Sequence, residues 1–244
     1  QGADGVYVVA CPIGNCHHLH GNVRATKRLD YARKLMEQVG LEPARQLSIL
    51  RRYVENMVRL HLGQGLDILW HRDHDRLPAE PEYLEMCRLK TGSLSRLAAQ
   101  MGALAAGASE AQADLLGAVG GEFGACFQII DDVANLATGV PGKLRGDDII
   151  EGKKSLPIIL HLQRRPGDRE RVRDCFVAAA ADPAAASGPI AELVAHLESS
   201  DSLADARRRA EQLLGEAEAT LRREFPPSDG RQQLLGLVSS LVRS

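Results

Sequence analysis

Two carboxylates stand side by side in the stretch FQIIDDVAN. Asp131 and Asp132 sit in an apolar run, with Gln128 three residues before the first and Asn135 four residues after it. On a helix, residues three and four apart share a face, so these four side chains form a cluster of oxygen ligands and hydrogen-bonding groups. Phe123, Cys126, Phe127, Ile129, Ile130 and Val133 around them are apolar. A carboxylate pair buried there without partners is very costly, so it needs cations. Two hard carboxylates plus amide oxygens suit Mg²⁺, which prefers oxygen ligands, keeps bound water and bridges to phosphates. The competing reading is an acidic pair at a helix edge that points to solvent.

Three other strings carry chemistry. In LHLGQGLDILW, Gln64 and Asp67 are three apart and share a face. Gly63 and Gly65 each cost roughly 1 kcal/mol in a helix interior relative to Ala, so something is expected to pack closely there. In LKTGSLSRLAAQ, the triplet Lys90, Thr91 and Gly92 interrupts an apolar helix, and a kink at Gly92 would aim the Lys90 ammonium and Thr91 hydroxyl inward. In GKLRGDDIIEGKKSLP, Lys143, Asp147, Asp148, Lys153 and Lys154 stand in a Gly-rich loop. Lysines with glycines supply point charges and close backbone approach, as a polyphosphate site requires. Taken singly, a KTG or a lysine-rich loop is usually solvated surface.

The elements that must position these residues read as helix almost throughout. Ala, Leu, Arg, Glu and Gln dominate, aromatic residues make only 4%, and strand-like alternation is nearly absent. Apolar spacing predicts helices over about 41–70, 82–107 with an interruption at Gly92, and 110–137. Pro81 suits the first turn of the second. Residues 138–155 read as a Gly- and Pro-punctuated loop, SLPIILHLQ resumes helix and RRPGD ends it. ADPAAASGP reads as a surface turn between later helices, and 204–225 as a charged amphipathic helix. No repeat or linker divides the chain, so 1–244 is expected to be one all-α domain, with an N-terminal segment, 1–30, that shows no clear period.

The length and a net charge of -2, with 44% hydrophobic and 25% charged residues, fit an ordinary globular protein with a substantial core. The balance gives no electrostatic argument for nucleic acid. No run of 18 apolar residues is read, so no transmembrane segment is expected. Five scattered cysteines point to reduced thiols and a cytoplasmic location. Cys11, Cys16, His17, His18 and His20 include enough ligands for zinc, but their spacing fits no common finger. HRDHD reads as a solvated turn.

In combination and in this order, GQGLDILW, KTGSL, FQIIDDVANL and GDDIIEGKKSLP resemble successive signatures of the trans-isoprenyl diphosphate synthase (polyprenyl synthetase) family, in its short geranylgeranyl/farnesyl diphosphate synthase-like branch. The match covers about 60–162, and Asn135 replaces a third Asp in a variant of the second aspartate-rich motif familiar in that branch. The resemblance implies a class I isoprenoid synthase helical bundle around a central cavity. It implies a Mg²⁺-dependent prenyltransferase that condenses isopentenyl diphosphate with an allylic diphosphate. By position, Asp131 looks like the direct metal ligand, Asp132 and Asn135 complete that motif, and Asp148 holds metal-bound water. Lys90, Lys143 and Lys153 look like diphosphate clamps. Thr91 and Gln128 turn oxygen dipoles toward the developing cation, and Gln64 and Asp67 line the substrate site from the facing helix. Members dimerise, so a homodimer or heterodimer is expected.

The family also has a first aspartate-rich motif well before GQGLD, an arginine pair after it and a Gly-Lys and Arg cluster. Only Asp4 and Asp30 precede Asp67 here, and neither is paired. The 244 residues hold one wall of a two-walled site, so the N-terminal part is expected to be missing or altered and turnover impaired. The alternatives are a non-catalytic regulatory subunit of a heteromeric synthase and a class I terpene cyclase. The intact second motif and lysines speak against the first. DDVANLATG, which lacks the cyclases' Asn-Asp followed by spaced Ser and Glu, speaks against the second.

Overall fold

The computed structural model describes residues 43–139 and 145–243. Ten α-helices carry them, with no strand among the described residues. The helices α1 (Pro43–Arg72), α2 (Glu80–Lys90), α3 (Gly92–Ala105) and α4 (Glu110–Ala137) precede the Gly-rich loop. After it come α5 (Asp147–Ile150), α6 (Leu156–Arg164), α7 (Arg169–Ala181), α8 (Ser187–Ser199), α9 (Ser202–Glu224) and α10 (Asp229–Arg243). A 3-10 turn, Pro166–Asp168, separates α6 from α7. The N-terminal segment 1–30, with Cys11, Cys16, His17, His18 and His20, lies outside the described residues.

Local signals set several boundaries. Ser109 caps α4: its hydroxyl accepts from the Gln112 N–H at 3.3 Å, and the Gln112 side-chain Oε1 accepts from the Ser109 N–H at 3.0 Å. Pro81 falls in the first turn of α2, and the Glu82 carboxylate accepts the Ala79 N–H at 2.8 Å. The helix read over 82–107 is two helices that meet at Thr91. The loop read over 138–155 contains α5, four residues long and too short to show a period. The turn read at ADPAAASGP is shorter than expected, because α8 begins at Ser187.

The central element is α4. Phe123, Ala125, Cys126, Ile129, Ile130 and Val133 belong to one buried cluster with Trp70, Leu84, Met86, Leu213 and Leu214. Leu136 belongs to a second cluster with Ile149, Ile158, Phe176, Leu193 and Leu197. Leu77 and Leu203 pack against both. Among the described residues α4 is long and apolar enough, by length and composition, to cross a membrane. Buried inside the protein, however, is 67% of that apolar window, so its hydrophobicity serves the core. α3 and α9 pack along it.

Glycines let α3 and α4 approach backbone to backbone. A Cβ on Gly124 would lie 2.8 Å from the Gly92 Cα and 3.0 Å from the Thr91 carbonyl oxygen, and one on Gly120 would lie 2.8 Å from the Ser95 carbonyl oxygen. At the far end, the buried Arg52 of α1 binds Asp114 and, at 2.5 Å, Glu110 in the first turns of α4. This contact places guanidinium charge against carboxylates rather than leaving it unpaired in the interior.

Candidate active site

The crossing of α1 and α2 builds the first part of the site. A Cβ on Gly63 would lie 2.4 Å from the Lys90 backbone nitrogen, so a side chain there would push the helices apart. Gly65 faces open space instead, and the close packing expected at both glycines holds at Gly63 alone. The crossing brings Lys90 Nζ within 2.5 Å of Asp67 Oδ2, and His71 Nε2, one turn along α1, lies 3.0 Å from Asp67 Oδ1. Burial by itself would raise the Asp67 pKa, but the contacts from His71 and Lys90 override it and hold the carboxyl at about 2.

The break between α2 and α3 builds the second part. Thr91 keeps right-handed helical angles and its N–H still reaches the Cys87 carbonyl, so the chain turns without leaving a buried donor unpaired. Its hydroxyl donates to Gln128 Oε1 at 2.6 Å, and the Gln128 amide donates to Asp132 Oδ1 at 2.8 Å. The inward aim expected of Lys90 and Thr91 is therefore what the structure has.

Asp132 is fully buried and lies at the centre. Tyr83 Oη donates to its Oδ2 at 2.7 Å, and Lys153 Nζ lies 2.6 Å from its Oδ1. The same ammonium lies 2.9 Å from Asp148 Oδ2. Burial raises the Asp132 pKa, with Lys153 opposing. Burial would lower the Lys153 pKa, but Asp132 and Asp148 outweigh it and hold the ammonium charged. Lys153 is thus the cation shared by the buried carboxylates of Asp132 and Asp148, and the adjacent pair expected from the sequence is split, because only Asp132 of the two is buried.

The Gly-rich loop delivers Lys153 through two left-handed glycines, Gly146 at φ 85° and Gly152 at φ 79°. Gly152 abuts the end of α1, where a Cβ would lie 2.6 Å from the His71 carbonyl oxygen. Asn135 ties the loop to α4. Its Oδ1 accepts the Asp148 N–H at 3.2 Å, its carbonyl accepts the Gly146 N–H at 3.1 Å, and its buried Nδ2 has no partner among the described residues.

Asp131 points the other way. It is half-buried, and among the described residues it has no hydrogen-bond or ion-pair partner. Gln64 is half-buried on α1, one turn before Asp67. Lys143 lies outside the described residues. Among the described residues no three His, Cys, Asp or Glu side chains gather in a metal-ligating set. Mg²⁺ is usually held by one or two carboxylates together with water and substrate phosphates, so the Asp131 carboxylate fits an ion whose shell a phosphate completes.

Sequence reasoning missed two members. Tyr83 stands seven residues before Lys90, and His71 four after Asp67. Both spacings put them on the faces already singled out, which is the signal that would have found them.

Comparison with known proteins places this geometry. The family model described as Polyprenyl synthetase matches residues 16–192. Geranylgeranyl pyrophosphate synthase 2 of Zymoseptoria tritici is 33% identical over 223 residues, which cover 90% of this chain and 64% of that protein. The chain thus spans less than two thirds of the length of this relative. A crystal structure of geranylgeranyl pyrophosphate synthetase from Pyrococcus horikoshii superposes with a TM-score of 0.72 at 26% identity, over 86% of this chain and 63% of that one. Polyprenyl synthase from Caulobacter crescentus, crystallised with calcium and isoprenyl diphosphate, gives 0.74 at 25% identity, over 93% and 68%.

Proposed function

The chain belongs to the polyprenyl synthetase family, and on that premise we propose that it forms the second-motif wall of a Mg²⁺-dependent trans-prenyltransferase of the geranylgeranyl diphosphate synthase type. The reaction joins isopentenyl diphosphate to an allylic diphosphate. The observation that carries this reading is the Lys153 bridge between Asp132 and Asp148, with Asp131 left free beside it.

The charges support it. Asp67, Asp131, Asp132 and Asp148 set four carboxylates against the ammoniums of Lys90 and Lys153, so that carboxylates outnumber ammoniums even when Lys143 is added. An anionic diphosphate is repelled by such a face unless divalent cations intervene. In this reading Asp131 holds Mg²⁺, while Asp132, Asn135 and Asp148 form the buried base that keeps Asp131 and the loop in place. Bound Mg²⁺ would neutralise the leaving diphosphate. Lys90, Lys153 and Lys143 supply further positive charge to it. Gln64 and Asp67 orient substrate, and the Thr91 and Gln128 oxygens face the allylic carbon as positive charge develops.

The same reading includes a dimer. Val54, Val58 and Leu62 lie four apart on α1 and are 51%, 55% and 58% exposed, a stripe suited to a partner helix, whether from a second copy or a related subunit. A cytoplasmic location also belongs to it, and Cys87, Cys126 and Cys175 are buried free thiols.

Calorimetry with pyrophosphate and Mg²⁺, beside incorporation of radiolabelled isopentenyl diphosphate, tests the proposal. Pyrophosphate binding should require Mg²⁺ and should be lost in Asp131→Ala. Binding that survives this substitution would show that Asp131 is not the metal ligand. Incorporation by these 244 residues alone should be at least about 10²-fold slower than by a full-length relative, because carboxylates opposing Asp131 strengthen their contacts only as diphosphate leaves.

A further inference from the structure

The second lysine of the loop has no part in the mechanism above, yet it is as deeply buried as the first. Lys154 is 3% exposed. Its ammonium makes no ion pair with a carboxylate among the described residues. It sits 4.1 Å above the centroid of the Phe176 ring of α7 and donates to the Gly152 carbonyl oxygen at 2.7 Å. The His74 ring stacks on Phe176, with centroids 6.3 Å apart. Burial lowers the Lys154 pKa to about 8, with Asp73 opposing. A charged group kept in so unfavourable a place does not serve stability, since an apolar side chain of equal length would pack on Phe176 without the desolvation penalty.

The bond to Gly152 indicates what it does serve. The Gly152 carbonyl and the Lys153 N–H belong to one planar peptide unit. The N–H end donates to the Asp148 carbonyl at 2.9 Å, and the carbonyl end accepts from Lys154. Gly152, at φ 79°, has no Cβ to restrict its rotation. Without the Lys154 bond this plane would be held at one end only. Its orientation decides where the Lys153 side chain starts, and that side chain must reach Asp132 at 2.6 Å and Asp148 at 2.9 Å together.

We propose that Lys154 is a positioning residue for Lys153: its ammonium, held between the Phe176 ring and the Gly152 carbonyl, locks the peptide plane that aims Lys153 at Asp132 and Asp148. The consequence for diphosphate binding rests on the function proposed above, whereas the aiming of Lys153 does not.

The test uses the 244-residue chain labelled with [ε-¹³C]lysine. In the wild type Lys153 should show two resolved Hε resonances, the mark of an immobilised methylene. In Lys154→Met, which keeps length and removes charge and donor, the two should collapse toward one averaged signal. Mg²⁺-dependent pyrophosphate affinity should fall about 10-fold, the usual size of an effect transmitted through a supporting contact. The melting temperature should not fall. Lys154→Arg should restore both the split signal and the affinity in part. Two resolved resonances in Lys154→Met, or a Lys154→Arg variant no better than Lys154→Met, would overturn the proposal. If the wild type binds no pyrophosphate, the proposed function fails and the resonances alone decide the positioning role. If Lys154→Met does not fold, Lys154→Leu, which equally lacks charge and donor, takes its place, and two resolved Lys153 resonances in it would also overturn the proposal; a single averaged Lys153 signal in the wild type would do so without any variant.

Discussion

Asp67 and Lys153 show two ways of keeping a charge indoors, and each predicts a different response. The folded Asp67 carboxyl, at about 2, lies below the ordinary aspartate value of 3.8. Its contribution is therefore complete above pH 3.8 and is lost as the pH falls toward 2. The shift corresponds to about 2 kcal/mol. Asp67→Asn should lose about that much at pH 7 and flatten the acid limb of stability, as read from urea midpoints across pH. Lys153 is the shared cation of two buried carboxylates, so Lys153→Met should destabilise by about 3–5 kcal/mol at neutral pH, through the charges it leaves unpaired. Asp131→Asn, at a carboxylate with no protein partner, should change stability by less than about 0.5 kcal/mol. Equal losses in denaturation for Lys153→Met and Asp131→Asn would contradict this division between support and ligand.

Between elements, the controlling quantity is the distance at which helices meet. α3 and α4 touch through glycines, and at Gly124 the atoms in the way of a Cβ include the Gly92 Cα and the Thr91 carbonyl, which cannot rotate aside. Gly124→Ala should therefore destabilise by about 1–3 kcal/mol and weaken the Thr91–Gln128 bond at 2.6 Å that depends on the same contact. Gly65, on a helix interior with no atom within 4 Å of a Cβ, is the control. Gly65→Ala should stabilise by about 0.5–1 kcal/mol through helix propensity. Chemical denaturation of the pair checks both signs.

Over the whole molecule, α4 joins the site to the core. Its buried residues contribute to both hydrophobic clusters, while Gln128, Asp131, Asp132 and Asn135 lie on the same helix. Leu77 and Leu203 pack against both clusters. Burial is less complete on α1. If the Val54, Val58 and Leu62 stripe meets a partner as proposed, light scattering at micromolar concentration should show a dimer, and Val58→Glu should shift it toward monomer without loss of helix by circular dichroism. A monomeric wild type would remove this part of the reading.

Helical class, the 110–137 helix, the break at Lys90–Thr91–Gly92 and, Tyr83 apart, the residues that gather around Asp132 were legible in the sequence. Each rests on local facts: a 3.6-residue period, a Gly that interrupts it, a cluster of chemically distinctive side chains. The opposed roles of the two aspartates needed the fold. On a helix, neighbours point about 100° apart, so one can enter the core while the other faces out, and only α2 and the Gly-rich loop determine which. Tyr83 and Lys153 arrive from those elements and take Asp132, leaving Asp131 free. The two lysines of GKK likewise differ only in which side of the loop each faces. No periodicity records that, because it depends on a left-handed Gly152 packed against the end of α1 and on Phe176 of α7. Local pattern determines which residues can share a face, whereas burial, and with it which charge must be paired, is a property of the elements that close over them.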